Sequence, residues 1–468
     1  MNIALQRGLN WWNVWQGQSA NRRIFAAMLT VGGFTVLVKL TAVVKDVIVA
    51  YQFGADDVLD TFLIAMVLPQ FAITLIAGSF NAALIPAYIQ VREQEGQNAA
   101  QCVLSSIMVV SVGLLVALSV VLAISAPYIL PLVASGFSAE KLALTQSLYY
   151  VVLSTLVLNG LATTWGGILN VENRFAFVAV VPMATSIITA LLVVVMAQEW
   201  GGYTLAVGVV GGALVETGLI GWRLTRQGIS LIPRWCGMFP AVKSVLAQYA
   251  PSVAAAFLMG SITVVSQSMA ATLPPGTVAV LSYGNKLTNL ILGIGATAVS
   301  MAVLPHFSRM VTATDWQELR HTLSTYTRLL LIILIPLTTV LIYFSEPLMA
   351  MFFQRGAFTE ADTHLAGQVQ VFCLLQIPVY IVGRLFVGLI SALKTNQLMM
   401  WGNIINLCVC IVLNYALMQW LGVLGLALAA SLLYAVSCCF LSFVSLRLIN
   451  RLISSIGMSA GVILGGKA

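Results

Sequence analysis

The stretch "AVVKDVIVAYQFGADDVLDTFLIA" (residues 42–65) places Lys45 and Asp46 inside an otherwise apolar run. The whole chain shares this apolar character: of 468 residues, 60% are hydrophobic and only 8% are charged, and the mean hydropathy is +0.98. A water-soluble globular protein carries about a quarter charged residues. Because apolar runs of this length cross a bilayer as helices, the sequence predicts an all-α polytopic membrane protein.

Twelve membrane-spanning helices are predicted, each from an apolar run that is long enough to cross the bilayer. These spans cover residues 25–51, 60–90, 102–125, 145–169, 175–198, 202–222, 244–271, 277–304, 328–353, 364–393, 397–419 and 422–448. The predicted domains are an interfacial N-terminal segment (1–24), an N-lobe (25–222), a cytoplasmic linker (223–243), a C-lobe (244–448) and a cytoplasmic tail (449–468).

The basic residues predict the orientation of these spans. With the N-terminus inside, sixteen of the 22 Lys and Arg residues fall in cytoplasmic segments, and only Lys141 and Arg355 fall in outside loops. Positively charged loops stay cytoplasmic, so both termini are expected inside the cell. The net charge of +7 thus reflects membrane topology, and we expect no nucleic-acid binding.

Three pairs of motifs indicate an internal repeat. "AALIP" (82–86) resembles "MAVLP" (301–305), "APYILPLVASGFSAE" (126–140) resembles "EPLMAMFFQRGAFTE" (346–360), and "LNVENRF" (169–175) resembles "ALKTNQL" (392–398). All three recur in the same order at an offset of about 220 residues. Six helices separate the copies, which predicts two six-helix lobes of like orientation around a central cavity, as in alternating-access transporters.

Several charged residues fall inside the predicted spans. The cations are Lys39, Lys45, Lys286 and Arg384, and the acids are Asp46, Asp60 and Glu216. A cation at the centre of a membrane helix costs about 2.5–3.5 kcal/mol, so burying four of them needs compensation. An anionic substrate would supply it, because ammonium and guanidinium groups bind phosphate oxygens through charge-assisted hydrogen bonds.

A purely structural interpretation of these charges stays open at this level. Lys45 could pair with Asp46 or Asp60, Arg384 could bind backbone carbonyls, and lysines near helix ends could extend to the membrane interface. A duplicated scaffold protein is a further alternative, although it gives no reason for buried charge.

Five further stretches resemble the MurJ/MviN family of lipid flippases, which shares a superfamily with Wzx-type polysaccharide exporters and MATE drug exporters. These are "KDVIVAYQFGADDVLDTFLIAMVLP" (45–69), "IPAYIQ" (85–90), "GILNVENRFAF" (167–177), "SYGNKL" (282–287) with "VLPHFS" (303–308), and "FFQRGAFTEAD" (352–362). The resemblance implies two lobes that carry an undecaprenyl-diphosphate-linked saccharide from the cytoplasmic to the periplasmic leaflet of the bacterial inner membrane.

The resemblance also implies which residues bind the substrate. The family's basic cavity positions fall on Lys39 and Lys45, its neighbouring acids on Asp46 and Asp60, and its helix 8 pair on Asn285 and Lys286; Arg384 completes the predicted substrate-binding set. Departures are the missing cation at Ile73 or Thr74, the amide at Asn285, and a sequence that ends about twenty residues after the twelfth span, where the family commonly has two more helices.

The leading functional prediction is a flippase for lipid II or a related lipid-linked saccharide. A Wzx-type flippase for exopolysaccharide repeat units is the alternative, a MATE-like exporter of organic cations is disfavoured by the basic cavity, and an enzyme of the same pathway is disfavoured by the short outside loops. We expect no catalytic residue, metal or cofactor, and because there is no P-loop we do not expect ATP to drive transport directly. The expected driving force for transport is the membrane potential, or a proton or Na⁺ gradient that acts through Asp46 or Glu216. We expect the protein to act as a monomer surrounded by membrane lipids.

Overall fold

The computed structural model describes the backbone of residues 20–231, 234–238, 240–393, 395 and 397–465, and the side chains of these residues except 20–32, 82, 301, 302, 304 and 453–465. Within these residues the chain forms helices and no strand. Most of the predicted N-terminal interfacial segment (1–24) lies outside the described residues.

Helices follow one another with short connections. We number them α1 (Ala20–Phe53), α2 (Asp57–Ile73), α3 (Ser79–Glu95), α4 (Gln97–Val133), α5 (Ala139–Val171), α6 (Phe175–Val180), α7 (Met183–Trp200), α8 (Tyr203–Thr225), α9 (Pro240–Ala270), α10 (Thr277–Gly284), α11 (Lys286–Thr312), α12 (Trp316–Tyr343), α13 (Ser345–Phe353), α14 (Glu360–Leu374), α15 (Gln376–Ala392), α16 (Gln397–Leu421) and α17 (Val423–Gly465).

Eleven helical stretches in the described residues are long and apolar enough to cross a membrane, and they correspond to predicted spans 2 to 12. The first predicted span lies on α1, a helix of 34 residues whose described part includes Lys39, Lys45 and Asp46. Helix α17 continues to Gly465, past the predicted end of the twelfth span at residue 448. The chain is therefore a multi-pass, all-α membrane protein, as the sequence predicted.

Five of the predicted spans are interrupted in the structure. Two of the breaks lie at Phe344, between α12 and α13, and at Leu375, between α14 and α15. A π-helical turn at Thr74–Gly78 separates α2 from α3 within the second span, Val181 and Pro182 separate α6 from α7, and Asn285 separates α10 from α11. Single-turn widenings and proline breaks are tolerated in membrane helices where neighbouring groups satisfy the freed backbone. The eighth predicted span is thus two helices joined at Asn285 and not one continuous helix.

By contacts between residues, the chain divides into two compact units. The first contains residues 1–49, 72–125 and 147–253, and the second contains 50–71, 126–146 and 254–468. This division does not follow the predicted lobes, because 50–71 and 126–146 contact loops of the C-terminal half, as at Gly54 beside Ala357. The predicted lobes stay a prediction.

In the first unit, small residues let two helices approach closely. Gly208 and Gly212 of α8 lie against the backbones of Thr189 and Thr185 of α7, where a Cβ atom would collide. Such close backbone approach at small residues is the usual way membrane helices pack. It also positions Glu216, one turn beyond Gly212, facing α7.

The second unit is held by a buried apolar cluster. Its fully buried members include Phe307 on α11, Leu374 on α14, and Ile377, Leu385 and Leu389 on α15. Residues of α15 contribute at i, i+4 and i+8, so one face of this helix is buried against its neighbours. This packing fixes the position of Arg384, which precedes Leu385 on the same helix.

Candidate functional site

Helix α1 carries the Lys45 and Asp46 charge pair. The Nζ atom of Lys45 lies 2.9 Å from Oδ1 of Asp46, and the Asp46 side chain is mostly buried. Lys39, two turns earlier, is exposed, and no carboxylate among the described residues lies within 4.0 Å of it. Helix α1 thus presents one compensated lysine and one lysine that lacks a carboxylate partner.

Lys286 begins α11 in the second unit and is half-buried. Beside it, Oδ1 of Asn285 accepts a long hydrogen bond of 3.5 Å from Nε2 of Gln376 on α15. The amide at Asn285 therefore adds polarity without adding a negative charge next to Lys286. The pair retains the cation of the predicted substrate site and lacks a compensating acid at the neighbouring position.

Asp60 of α2 is held in a place that the sequence did not predict. Its carboxylate accepts hydrogen bonds of 2.8 Å from the backbone N–H groups of both Gly276 and Ala279, at the N-terminus of α10. Gly276 is the residue before this helix and has no side chain to cap it. Asp60 therefore caps α10 from another helix, and its negative charge interacts favourably with the positive end of the helix dipole.

Lys141 of α5 joins this arrangement. Its Nζ atom lies 3.2 Å from Asp60 and 2.5 Å from Asp57, and it also lies 4.0 Å from the centre of the Phe137 ring. The Asp60 side chain is only 2% exposed, whereas the Asp57 side chain is 46% exposed. Two backbone donors and one lysine thus compensate the negative charge of the buried carboxylate, and the dipole of α10 adds to their effect.

Four connections of the chain meet around Asp60 within the second unit. The N–H of Ala357 donates to the carbonyl of Tyr51 at 2.8 Å, and Oγ of Ser268 donates to the carbonyl of Val133 at 2.8 Å. With Asp60 bound to Gly276, these contacts join the connections after spans 1, 3, 7 and 9. The basic-residue count predicts that all four connections lie on the periplasmic side, and their mutual contacts agree with a common side. We call this set of contacts the loop cluster.

Gly276 is a sensitive position of the loop cluster. Its φ of +82° is in the region that favours glycine, and a Cβ atom there would collide with the carbonyl of Ala55. We expect Gly276→Ala to destabilise the protein by about 1–3 kcal/mol, measured as a lower melting temperature in detergent. Gly293→Ala is the matched control, because nothing lies within 4 Å of a Cβ built there. Equal melting temperatures of the two variants would contradict this view.

The other two predicted charges lie elsewhere. Oγ1 of Thr185 donates to Glu216 at 3.1 Å in the first unit, and Nη2 of Arg384 donates to Oγ of Ser300 at 3.1 Å in the second. Arg384 therefore contacts a hydroxyl group here and not backbone carbonyls. In the part of the chain that the structure describes, no group of three His, Cys, Asp or Glu residues is placed to hold a metal ion.

The structure thus distributes the predicted site residues between the two compact units. Lys39, Lys45 and Asp46 belong to the first unit; Asp60, Asn285, Lys286 and Arg384 belong to the second. Convergence of the two groups on one chamber stays a prediction.

Sequence reasoning missed Lys141 as a functional residue and counted it only for topology. The sequence did contain a signal for the pairing of Lys141. It is one of two basic residues in the predicted outside loops, and it shares its side of the membrane with Asp57 and Asp60, which begin the second span. Opposite charges confined to the same narrow layer predict a pairing, although not the helix cap that accompanies it.

Comparison with known proteins identifies relatives over most of the chain. The sequence model of the family described as lipid II flippase MurJ matches residues 49–460. A probable lipid II flippase MurJ of Rhizobium meliloti (strain 1021) is 26% identical over 416 residues, covering 86% of this chain and 76% of the relative. The lipid II flippase MurJ of Burkholderia cenocepacia is 27% identical over 355 residues, covering 74% of this chain and 68% of the relative.

Solved structures share the fold. A lipid II flippase MurJ in an inward closed conformation superimposes with a TM-score of 0.77 at 20% identity, over 94% of this chain and 93% of the other. An inward-facing multidrug resistance transporter of the MATE family superimposes with a TM-score of 0.73 at 16% identity, over 90% of this chain and 99% of the other. At these identities the likeness establishes the fold.

Proposed function

This chain belongs to the family of lipid II flippases named MurJ, and from that premise we propose that it carries lipid II from the cytoplasmic to the periplasmic leaflet of the bacterial inner membrane. The substrate keeps its covalent structure throughout, since the family consists of transporters. Both termini lie in the cytoplasm, and the protein acts as a monomer among membrane lipids. The named relatives favour lipid II over an exopolysaccharide repeat unit.

The observation that carries this proposal is Lys39, a cation of the predicted site that has no carboxylate partner. Lys39 lies on α1 within the first predicted span, and among the described residues no carboxylate lies within 4.0 Å of it. Two acids of the predicted spans have other partners: Asp60 is engaged by Lys141 and α10, and Glu216 is bonded to Thr185. A diphosphate group would compensate the positive charge of Lys39.

We assign the loop cluster the role of an outer gate. Its hydrogen bonds hold together four connections on the predicted periplasmic side, and release of the substrate on that side requires these contacts to part. The contact of Asp60 with α10 is suited to this role, because it concentrates several charge-assisted interactions at a single carboxylate. Alternating access then consists of making and breaking the loop cluster.

The membrane potential is a sufficient driving force in this proposal. Moving an anion outward, away from a negative interior, gains about 2.3 kcal/mol per charge per 100 mV. Coupling to a proton or Na⁺ at Asp46 or Glu216 is the second possibility. Glu216→Gln tests the second possibility at Glu216, because it keeps a hydrogen-bonding partner for Thr185 and removes the ionisable group. Potential-driven flipping that is unchanged in this variant excludes Glu216 as a coupling site.

The test is a flipping assay in proteoliposomes that contain the purified protein. Fluorescent lipid II is placed in the leaflet that contacts the protein's cytoplasmic face, and its appearance in the opposite leaflet is measured with a membrane-impermeant quencher. An undecaprenyl-diphosphate-linked exopolysaccharide unit and a cationic dye are tested in parallel. Lipid II movement that depends on the lysines supports the proposal, whereas exclusive transport of either competitor contradicts it.

A further inference from the structure

A cavity of about 270 Å³ lies among α15, α16 and α17 of the second unit, with Met259 of α9 at its edge. All of its lining residues fall in membrane-spanning helices. The polar ones are Tyr380, Arg384, Asn403, Asn406, Tyr434 and Ser437, and none of the lining residues is Asp or Glu. Lys39 and Lys45 of the proposed flipping site are not part of this cavity.

Among the described residues that line the cavity, Arg384 is the only charged one, and its charge is poorly compensated. A guanidinium group has five N–H donors, yet Ser300 supplies the one hydrogen-bond acceptor that the described residues offer it. The Nε atom is buried without a partner, and no carboxylate lies within 4.0 Å of the group among the described residues. The undescribed side chains include no Asp or Glu. A partly buried cation without a carboxylate partner is costly in a membrane and marks a functional site.

The neighbouring polar groups are arranged as further donors. Nδ2 of Asn406 donates to Oγ of Ser437 at 3.1 Å, which leaves the Ser437 hydroxyl hydrogen available for another acceptor. The rings of Tyr380 and Tyr434 pack edge to face with centroids 4.9 Å apart, so each ring helps to fix the position of the other. Both rings line the same cavity as the guanidinium. Hydroxyl and amide donors around a planar guanidinium match the oxygens of a phosphate group.

We propose that this cavity binds a phosphate group, carried either by free inorganic phosphate or by the headgroup of an anionic membrane lipid. The phosphate oxygens accept hydrogen bonds from Nε and the terminal nitrogens of Arg384 and from the donors on α16 and α17. Several lining residues, among them Asn403, are partly exposed, so the ligand reaches the cavity without unfolding the bundle. This inference does not depend on the proposed transport of lipid II.

Two binding measurements on the purified full-length chain distinguish the two sources. In nanodiscs of phosphatidylcholine, radiolabelled inorganic phosphate is titrated against the protein. In nanodiscs that also contain phosphatidylglycerol, native mass spectrometry counts the anionic lipids that remain bound. We expect saturable binding of at least one probe, and at least a tenfold weaker affinity in Arg384→Gln.

Three further variants keep the test decisive. Arg447→Gln removes an exposed guanidinium from α17, where it stacks on Phe443, and is expected to bind like the unaltered protein. Arg384→Lys keeps the charge and is expected to bind with intermediate affinity, while Asn403→Ala lowers affinity without touching the charge. Binding of phosphate alone assigns the site to the free anion, and retention of phosphatidylglycerol alone assigns it to lipid. Equal binding of both probes by the unaltered protein, Arg384→Gln and Asn403→Ala, with unchanged melting temperatures, would overturn the inference.

Discussion

Lys45→Ala is expected to reduce lipid II flipping to the level of protein-free vesicles. A charge-assisted hydrogen bond to a phosphate oxygen contributes about 1.5–3 kcal/mol, which corresponds to roughly ten- to a hundredfold in rate or affinity. The loss is compounded because Asp46, 2.9 Å away, then presents a negative charge next to the diphosphate that Lys45 no longer offsets. Initial flipping rates in proteoliposomes measure the effect.

Two companion variants separate a substrate contact from a structural ion pair. Lys45→Arg keeps the charge and should retain part of the activity, although its fork has a different geometry. Lys45→Ala combined with Asp46→Ala removes both partners of the pair. If Lys45 served only to neutralise Asp46, the double variant would recover flipping; we expect it to stay inactive.

Lys39→Ala and Lys286→Ala are expected to behave like Lys45→Ala while the protein inserts and expresses normally. Lys243→Ala is the matched control, because Lys243 is exposed in the first turn of α9 and lies outside the predicted site. Full activity in all three alanine variants would mean that the basic residues do not bind the transported headgroup.

The second large effect is expected from Asp60→Asn, which should open the loop cluster more often. The change removes the charge that caps α10 and compensates Lys141, a loss of about 2 kcal/mol and thus roughly thirtyfold in the population of open molecules. A cysteine introduced as Ala279→Cys reports the opening, because Ala279 is fully buried beside Asp60. A membrane-impermeant maleimide should label it about an order of magnitude faster or more when Asp60→Asn is present.

Asp57→Asn provides the matched comparison for Asp60→Asn. Asp57 contacts the same lysine from an exposed position, and an exposed ion pair contributes only about 0–1 kcal/mol. Its effect on labelling should therefore be several times smaller. Thr272→Cys, exposed in the same loop, should be labelled rapidly in every background. Equal labelling of Ala279→Cys with and without Asp60→Asn would show that Asp60 does not hold the cluster closed.

Much of the architecture was predictable because the bilayer imposes a simple rule on the sequence. Backbone groups in hydrocarbon have to be satisfied within their own segment, so a long apolar run is a helix. Spans 2 to 12 were accordingly confirmed. The breaks within them were not predicted: Asn285 and the turn at Thr74–Gly78 depend on how neighbouring helices satisfy the local backbone, as Gln376 does at Asn285.

The site was predictable in its residue types and less so in its contacts. The lysines were found because a charge inside an apolar span is conspicuous. The partners were not, since Asp60 and Ala279 are 219 residues apart and Asp60 and Lys141 are 81 apart, distances at which helical spacing carries no information. The role of Asp60 as a substrate contact stays a prediction, and its place at the N-terminus of α10 was not predicted.

The sequence by itself determined the fold class, the membrane helices after the first and the family, because hydropathy and local motifs are properties of consecutive residues. Only the tertiary structure decided which acids remain available to the cations, that Asp60 is bound by Lys141 and the N-terminus of α10, and that Arg384 faces a cavity without a carboxylate. These outcomes depend on which side chains of distant helices pack together, and in the low dielectric of the membrane that packing sets the energy of every buried charge.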